Sequence, residues 1–254
     1  MSNISKDEIF EYSSWSEAAL NSNGYTDSDL AQALGRQYEE KLNFSSTDEM
    51  DVRFSSRKLH LITGYLIACS HTARPKIADV GGGNGYMFDW IRSIDSNPSI
   101  DFTVFESEQI AAIYQNLKED AGLNFVTISQ FTTVSNVDLV ILSCTLQYLA
   151  EWDEILILAL KKSKYVLILR TPIIDTADHK IYVQTPPDGA YAAARASWPI
   201  RFFSRAKLLN LIEQNSKIIF SAQDFEEGFF FDGSMIPLES FLLCSNLTTN
   251  DFKA

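Results

Sequence analysis

The sequence predicts an α/β protein with a doubly wound, seven-stranded and mostly parallel sheet and an α-helical N-terminal extension. Short β-branched and apolar runs alternate with stretches that have helical spacing. The strand-like runs are apolar almost throughout, which is typical of parallel strands covered by helices on both faces. The first run leads into four glycines in five positions, residues 81–85, in a chain with 11 glycines in total.

The first three predicted strands flank two predicted helices. Lys76–Val80 is the strand that enters the glycines, and Tyr86–Arg92 follows as a helix with an apolar face. Asp101–Glu106 is the second strand, and Glu108–Glu119 has helical spacing. Phe125–Ile128 is short and β-branched, so it is the third strand.

The fourth and fifth predicted strands are the most apolar. Val137–Ser143 precedes a predicted helix from about Trp152 to Lys161. Tyr165–Arg170 is the fifth strand, and Pro172 ends it because proline cannot donate to a strand ladder.

The last two strands are predicted to form a hairpin. Ser204 is a candidate N-cap for a helix over Arg205–Gln214. Lys217–Phe220 and Phe241–Cys244 then follow, with a gap between them that is too short for an ordinary helix. Seven strands ending in an antiparallel pair therefore fit better than six parallel strands.

The predicted domain organisation is an extension over residues 1–75 and a core domain over residues 76–254. The extension has Trp15, Ala18, Ala19, Tyr25 and Leu30 in helical spacing. Residues 173–203, about 30 in number, are too many for an ordinary connection and are predicted to be a functional insertion.

Composition limits the possible partners and the location. The net charge of −12 argues against general nucleic-acid binding. The three cysteines and three histidines have no metal-ligand spacing, so no metal site is expected.

No apolar run approaches the roughly 20 residues needed to span a bilayer. Because the start of the chain is acidic and polar, unlike a secretion signal, we expect a cytoplasmic protein. An oligomer is compatible with the sequence.

One segment is basic despite the acidic whole. Between Lys161 and Lys207 there are nine basic residues and three acidic ones, a local excess of 9 − 3 = +6. This favours an anionic or phosphate-bearing small molecule as partner. The alternative is that the lysines at 161, 162 and 164 flank a helix end and a strand start.

The stretch ADVGGGNGY, residues 78–86, predicts a cofactor site. A strand that turns through glycines into a helix places backbone N–H groups at the carboxyl edge of the sheet, where ligands bind in open α/β folds. We expect the loop Gly81, Gly82, Gly83, Asn84 and Gly85 to cradle a nucleotide-like cofactor. A tight turn without a ligand would need fewer glycines.

Three further residues bear on the type of cofactor. Glu106, about 20 residues past the glycines, can accept hydrogen bonds from two ribose hydroxyls of a dinucleotide or an adenosyl ligand. Tyr86 occupies the third-glycine position of the dinucleotide fingerprint and disfavours close approach of a pyrophosphate. Asp79 would repel phosphate but suits an amino group or a sulfonium.

On these residues the sequence resembles the class I S-adenosylmethionine-dependent methyltransferases, over roughly residues 76–245. The resemblance implies a Rossmann-like methyltransferase fold with S-adenosylmethionine as cofactor. It implies that the glycine loop lies against the methionine part, that Asp79 holds the amino group and that Glu106 holds the ribose. The fourth-strand segment 138–143, with the residues 146–149 that follow it, also resembles the family, and its end, with Ser143, is expected to face the cofactor. Gln130 stands where many members have an acidic residue for the adenine amine.

A narrower resemblance concerns a bacterial family of proposed methyltransferases associated with surface-polysaccharide biosynthesis. It depends on the segment 15–25, on Arg170-Thr171-Pro172 and on Trp198-Pro199. It implies that Gly24 and Tyr25 close over the cofactor and that the acceptor is a saccharide. Alternatively, Trp15 and Tyr25 only dock the N-terminal helices.

The candidate base for transfer to a hydroxyl is His179, which lies in the predicted insertion. Arg170, Arg195 and Arg201 are candidates for holding an acceptor phosphate. The leading hypothesis is a methyltransferase that acts on a small-molecule or saccharide acceptor, at oxygen. The alternatives are an NAD-dependent oxidoreductase and a non-catalytic methyltransferase-like partner subunit.

Overall fold

The computed structural model describes residues 8–24, 32–36, 56–95, 99–117, 122–185, 196–231 and 234–247. Within these residues the fold is α/β, with helices on both faces of a central sheet that is mostly parallel. This confirms the predicted fold class. None of the described helices combines the length and the apolar character needed to cross a membrane.

The strands of the described residues are numbered in chain order. They are β1 Glu8–Tyr12, β2 Lys76–Val80, β3 Asp101–Glu106, β4 Leu123–Thr127, β5 Val137–Ser143, β6 Ser163–Ile174, β7 Lys180–Thr185, β8 Trp198–Ser204, β9 Ser216–Phe231 and β10 Ser234–Ser245.

The α-helices of the described residues are numbered in the same way. They are α1 Trp15–Leu20, α2 Ser56–Cys69, α3 Tyr86–Ile94, α4 Glu108–Leu117, α5 Trp152–Lys162 and α6 Arg205–Asn215. Residues 32–36 are also helical, and 3₁₀ turns occupy Ile128–Thr132 and Leu146–Tyr148.

Seven strands form the central sheet in the order β4-β3-β2-β5-β6-β10-β9. The five strands from β4 to β6 are parallel to one another, and β10 is antiparallel to both β6 and β9. The predicted hairpin at the end of the chain is therefore confirmed. Its strands are longer than predicted, because β9 and β10 remain paired up to Phe231 and Ser234.

Three further strands extend the sheet beyond the carboxyl end of β6. Strand β8 pairs in parallel with β6 at only two positions, Ile173 and Ile174. Strand β7 pairs antiparallel with β8, and β1 pairs antiparallel with β7. Strand β1 lies in the extension that was predicted to be helical, and β7 and β8 lie in the predicted insertion. The pairing of β1 with β7 joins segments more than 150 residues apart, which a local sequence pattern does not reveal.

Residues alternate between the two faces of the sheet, as the pleat requires. Ile77, Leu139 and Leu167 pack with α2, α3 and α4 on one face. Val140 and Val166 pack with α5 and α6 on the other. Because the strands from β2 to β6 run the same way, their carboxyl ends meet at one edge of the sheet. The cavity described below lies at that edge.

Ser204 precedes α6, as predicted, but its side chain does not cap the helix. The hydroxyl donates instead to the carbonyl oxygen of Thr176, at 2.7 Å. The residue therefore holds the connection between β6 and β7 against the end of β8.

Candidate functional site

The candidate site is a cavity of about 820 Å³ at the carboxyl edge of the sheet. The glycine loop and the tip of β3 form one side, and the ends of β5 and β6 form the middle. Residues 22–24 of the N-terminal segment and the start of β8 form the opposite wall. The volume falls within the usual range for small-molecule sites.

Glycine at two positions of the loop is explained by two different structural features. A Cβ on Gly82 would lie 2.3 Å from Oδ2 of Asp79, so no other residue fits without displacing that carboxylate. Gly83 has a φ of 57°, and an added Cβ would meet no protein atom within 4 Å. Its Cα therefore borders open space on the cavity side, where a ligand can approach the backbone closely.

Asp79 lies beneath the loop, fully buried. Neither of its carboxylate oxygens has a hydrogen-bond partner among the described residues. Burial raises its pKa to about 8, and the nearby charge of Glu106 adds to the effect. Asp79 does not line the cavity, because Gly82 lies over it. The role implied by the family resemblance, holding a ligand amino group, remains a prediction for this carboxylate.

Glu106 ends β3 and lines the cavity, as predicted. Its Oε2 accepts a hydrogen bond from the Ser107 backbone N–H at 2.5 Å. Burial raises the pKa of Glu106, and backbone hydrogen bonds from Ser107 and Gly83 partly offset that rise. The carboxylate is thus fixed beside the glycine loop, with its orientation set by backbone donors.

The end of β5 forms the floor between the two sides. The Tyr86 hydroxyl lies 3.3 Å from Oγ of Ser143, so the first residue of α3 reaches across to β5. Thr145 donates to the Val80 carbonyl oxygen at 2.7 Å and ties β5 to the start of the glycine loop. Tyr86 and Ser143 both line the cavity, so its floor is polar at this point.

An aromatic and amide cluster forms the opposite wall. Oε1 of Gln184 accepts hydrogen bonds from the Tyr148 hydroxyl at 3.0 Å and from the Trp198 indole N–H at 3.1 Å. The rings of Tyr148 and Trp198 meet edge to face at 6.1 Å. All three side chains line the cavity.

The N-terminal segment closes the cavity on the side of this wall. The Gly24 N–H donates to the Ser197 carbonyl oxygen at 2.8 Å, and the Asn23 N–H donates to the Ser197 hydroxyl at 3.2 Å. The Arg201 guanidinium lies 4.7 Å from the ring centre of Trp15. These contacts join the N-terminal segment to residues more than 170 positions later in the chain.

Arg201 was a candidate for holding an acceptor phosphate, but its guanidinium binds the protein backbone. It donates to the carbonyl oxygens of Leu149 at 2.7 Å and Ala150 at 3.2 Å. The residue is 6% exposed, and it does not line the cavity. Burial lowers its pKa to about 10. Its position supports the wall rather than a ligand.

His179 does not line the cavity. Its Nδ1 accepts a hydrogen bond from the Ser204 N–H at 2.9 Å, and its ring packs on Trp152 and Phe203. Burial lowers its pKa to about 4, and the charges of Arg201 and Lys207 act in the same direction. The sequence placed His179 in the insertion, but the pairing of β7 with β8 directs it away from the cavity.

The structure brings some of the predicted cofactor residues together and not others. Those that line the cavity are Gly81, Gly82, Gly83, Asn84, Glu106 and Ser143. Gly85 instead precedes α3 as its N-cap, and Gln130 is exposed, although its neighbour Ile128 lines the cavity. Tyr25 and Arg195 lie outside the described residues.

Among the lining residues, Gln184 had no sequence signal, and Trp198 was noted only as part of the narrower resemblance. Gln184 and Trp198 reach the cavity only because β7 and β8 pair beyond the end of β6. Tyr148 follows a strand that the sequence predicted, so its position just past the β5 tip was a usable signal. The general rule that ligands bind past the carboxyl ends of strands would have selected it.

The fold of this protein, but not its sequence, is similar to that of known proteins. No protein-family description and no curated protein matches the chain. A solved S-adenosylmethionine-dependent methyltransferase from Clostridium acetobutylicum ATCC 824 matches with a TM-score of 0.52 at 9% identity, over 82% of this chain and 98% of that one. The N-terminal domain of EvdMO1, crystallised in the presence of SAH and D-fucose, matches at 0.51 and 13% identity, over 84% and 95%. The central sheet therefore has the Rossmann-like methyltransferase fold.

Proposed function

We propose that the protein is an S-adenosylmethionine-dependent methyltransferase that acts on a small-molecule or saccharide acceptor, at oxygen. The observation that carries this proposal is the pairing of an open glycine cradle at Gly83 with the fixed carboxylate of Glu106 at the same edge of the cavity. A ligand that presents ribose hydroxyls and a slender amino-acid chain fits this pair of features.

The residues at this edge suit an adenosyl ligand. Glu106 would accept hydrogen bonds from the ribose hydroxyls, and residues 81–83 would lie against the methionine part. Ile110, Tyr114 and Ile128 line the cavity beyond Glu106 and offer an apolar slot for a planar base. Tyr86, at the start of α3, takes the place where a dinucleotide site needs a small residue beside the pyrophosphate.

Electrostatics also favour a cationic ligand over a pyrophosphate. Asp79 and Glu106 are both close to the loop, and the charge of Glu106 adds to the rise in the pKa of Asp79. A pyrophosphate would add repulsion, whereas an ammonium or a sulfonium would relieve it. S-adenosylmethionine supplies a methyl group that is electrophilic because it is bonded to a positively charged sulfur.

The protein's own contribution is then alignment and exclusion of water. Trp198 and Tyr148 provide rigid aromatic surface opposite the glycine loop, and Gln184 fixes their orientation. Aromatic surface of this kind suits either a planar acceptor or the apolar face of a sugar. Two observations support a saccharide. One is the sequence resemblance to the family associated with surface-polysaccharide biosynthesis. The other is the similar fold of the EvdMO1 N-terminal domain, which was crystallised in the presence of SAH and D-fucose.

The test adds SAH, S-adenosylmethionine and NAD⁺ separately to the purified protein. Calorimetry measures binding of each ligand, and thermal denaturation measures its effect on the unfolding temperature. We expect SAH to bind and to raise the unfolding temperature, with about 2.7 kcal/mol of added stability at 100 times its Kd. Stabilisation by NAD⁺ alone would replace this proposal with an oxidoreductase. Absence of binding by all three ligands would favour the non-catalytic subunit.

A further inference from the structure

Strand β6 has an irregularity at the point where it reaches the cavity. Ile168 pairs with Phe241 and Thr171 pairs with Glu239, so Leu169 and Arg170 together oppose the single residue Ser240 of β10. This is a β-bulge, and Arg170 within it has a φ of 59°, in the left-handed region. A non-glycine residue in that region is strained, and such residues concentrate at ligand sites.

Three hydrogen bonds hold the bulge from neighbouring elements. The Gln147 side-chain N–H donates to the carbonyl oxygen of Arg170 at 3.0 Å. The N–H of Arg170 donates to the Ser240 hydroxyl at 3.4 Å, and the Cys144 N–H donates to the carbonyl oxygen of Leu169 at 2.9 Å. The strained conformation is therefore determined by the fold on both sides of β6. Its consequence is that Arg170 lines the cavity.

The charges of the cavity are separated. Among the described residues that line it, Arg170 is the only basic side chain and Glu106 the only acidic one. Glu106 ends β3 and Arg170 lies in the bulge of β6, and these strands are three strand spacings apart in the order β3-β2-β5-β6. Three spacings correspond to roughly 14 Å between the backbones. An adenosyl ligand whose ribose lies at Glu106 would thus leave the Arg170 end of the same cavity for an anionic acceptor.

The described lining offers no histidine or carboxylate base near Arg170. It contains no histidine, lysine or aspartate, and its carboxylate, Glu106, lies at the far end. Burial raises the pKa of the neighbouring Tyr148 well above its usual value. Cys144 adds to this rise, and the charge of Arg170 acts in the opposite direction. The phenol therefore stays protonated and donates to Gln184.

We propose that the acceptor carries an anionic oxygen, a carboxylate or an ionised hydroxyl, which pairs with Arg170 and is itself the atom that is methylated. This inference rests on the proposed function. An oxygen that is already ionised needs no base, and pairing with a guanidinium favours the ionised form. The oxygen lone pair forms the new O–C bond while the C–S bond breaks with its electron pair moving to sulfur. The opposite charges of acceptor and sulfonium disappear together, and no proton is transferred.

The first test measures binding, so it does not depend on turnover. The protein is saturated with SAH and titrated calorimetrically with two anions, benzoate and glucuronate, and with their neutral counterparts, benzamide and glucose. We expect at least one anion to bind and its neutral counterpart to bind at least about 10-fold more weakly, as for hydrogen bonds to charged groups. Benzoate binding indicates an aromatic acid as acceptor, and glucuronate binding indicates an acidic sugar.

The variant Arg170→Gln tests the residue, with the exposed Arg74→Gln as matched control. R170Q should weaken anion binding by about 10- to 100-fold and leave the SAH affinity within about two-fold, whereas R74Q should change neither. Failure of both anions to bind the SAH-loaded protein overturns the inference, and so does equal binding by R170Q. Failure of SAH itself to bind would instead overturn the proposed function.

A second test uses the transferred methyl group. Low-molecular-weight extract is separated by anion exchange at about pH 8 and incubated with protein and methyl-labelled S-adenosylmethionine. The label should enter compounds of the retained, anionic fraction, and the products should elute earlier because one negative charge is lost. R170Q should raise the KM for this fraction more than it lowers kcat. Labelling confined to the unretained fraction would overturn the inference.

Discussion

The glycine-loop side and the opposite wall enclose the same cavity, but contacts of different range hold them. The loop side comes from one continuous segment, residues 79–106, in which strand, loop, helix and strand follow each other. The opposite wall combines the N-terminal segment with residues far along the chain. Asn23 and Ser197, which hydrogen-bond there, are 174 positions apart.

The two sides also differ in what supports them. The loop depends on backbone shape and on close approach, as at Gly82 over Asp79. The wall depends on side-chain hydrogen bonds and on one buried guanidinium, that of Arg201. We infer that changes on the loop side affect cofactor binding first, whereas changes in the wall affect stability and the acceptor without reaching the cofactor.

The largest expected effect is that of Gly82→Ala. The new Cβ would lie 2.3 Å from the Asp79 carboxylate, so the loop must move and Asp79 must shift. We expect a loss of about 1–3 kcal/mol in stability from overpacking and a loss of SAH affinity of at least about 100-fold. Urea denaturation and calorimetry with SAH measure the two effects.

The matched control for that variant is Gly83→Ala. Here an added Cβ meets no protein atom within 4 Å, so the stability cost is limited to the strained backbone, about 1–2 kcal/mol. The methyl group would nevertheless occupy the space into which the ligand fits, so SAH affinity should still fall at least about 10-fold. Unchanged SAH binding by G83A would show that the ligand does not contact this loop.

An intermediate effect, confined to stability, is expected for Arg201→Met. The substitution removes the donors to Leu149 and Ala150 and the contact with Trp15, at a cost of about 1–3 kcal/mol. Urea denaturation gives this loss, and calorimetry should find the SAH affinity within about two-fold of the parent protein. A drop in SAH affinity as large as that of G82A would remove the distinction between the two sides.

The last effect concerns Asp79 and is detected as a change with pH. Its pKa is raised from 3.8 to about 8 in the folded protein, so the folded state holds a proton that the unfolded state releases. Stability from this group is complete below the unfolded value and falls as pH rises toward about 8. Asp79→Asn lacks this dependence, so its unfolding temperature relative to the parent should rise between about pH 5 and about pH 9. A difference that is constant with pH would contradict the assigned burial.

The sequence predicted the central sheet well because its signals are local. Strand β2, the glycines and α3 follow one another within 19 residues, and Glu106 is the last residue of the next strand, so each position could be predicted from spacing. The hairpin of β9 and β10 was predicted for the same reason. Gln130 shows the limit of this approach, because correct placement after β4 did not determine that its side chain would be exposed.

By itself, then, the sequence determined the α/β class, the edge of the sheet that carries the cavity, and the glycine loop with Glu106. Only the tertiary structure decided that Asp79 lies beneath the loop and that His179 turns away from the cavity. It also decided that Gln184 and Arg170 reach the cavity. The physical reason is range: strand and turn preferences act over a few residues, whereas these positions depend on strand pairing and packing between distant segments.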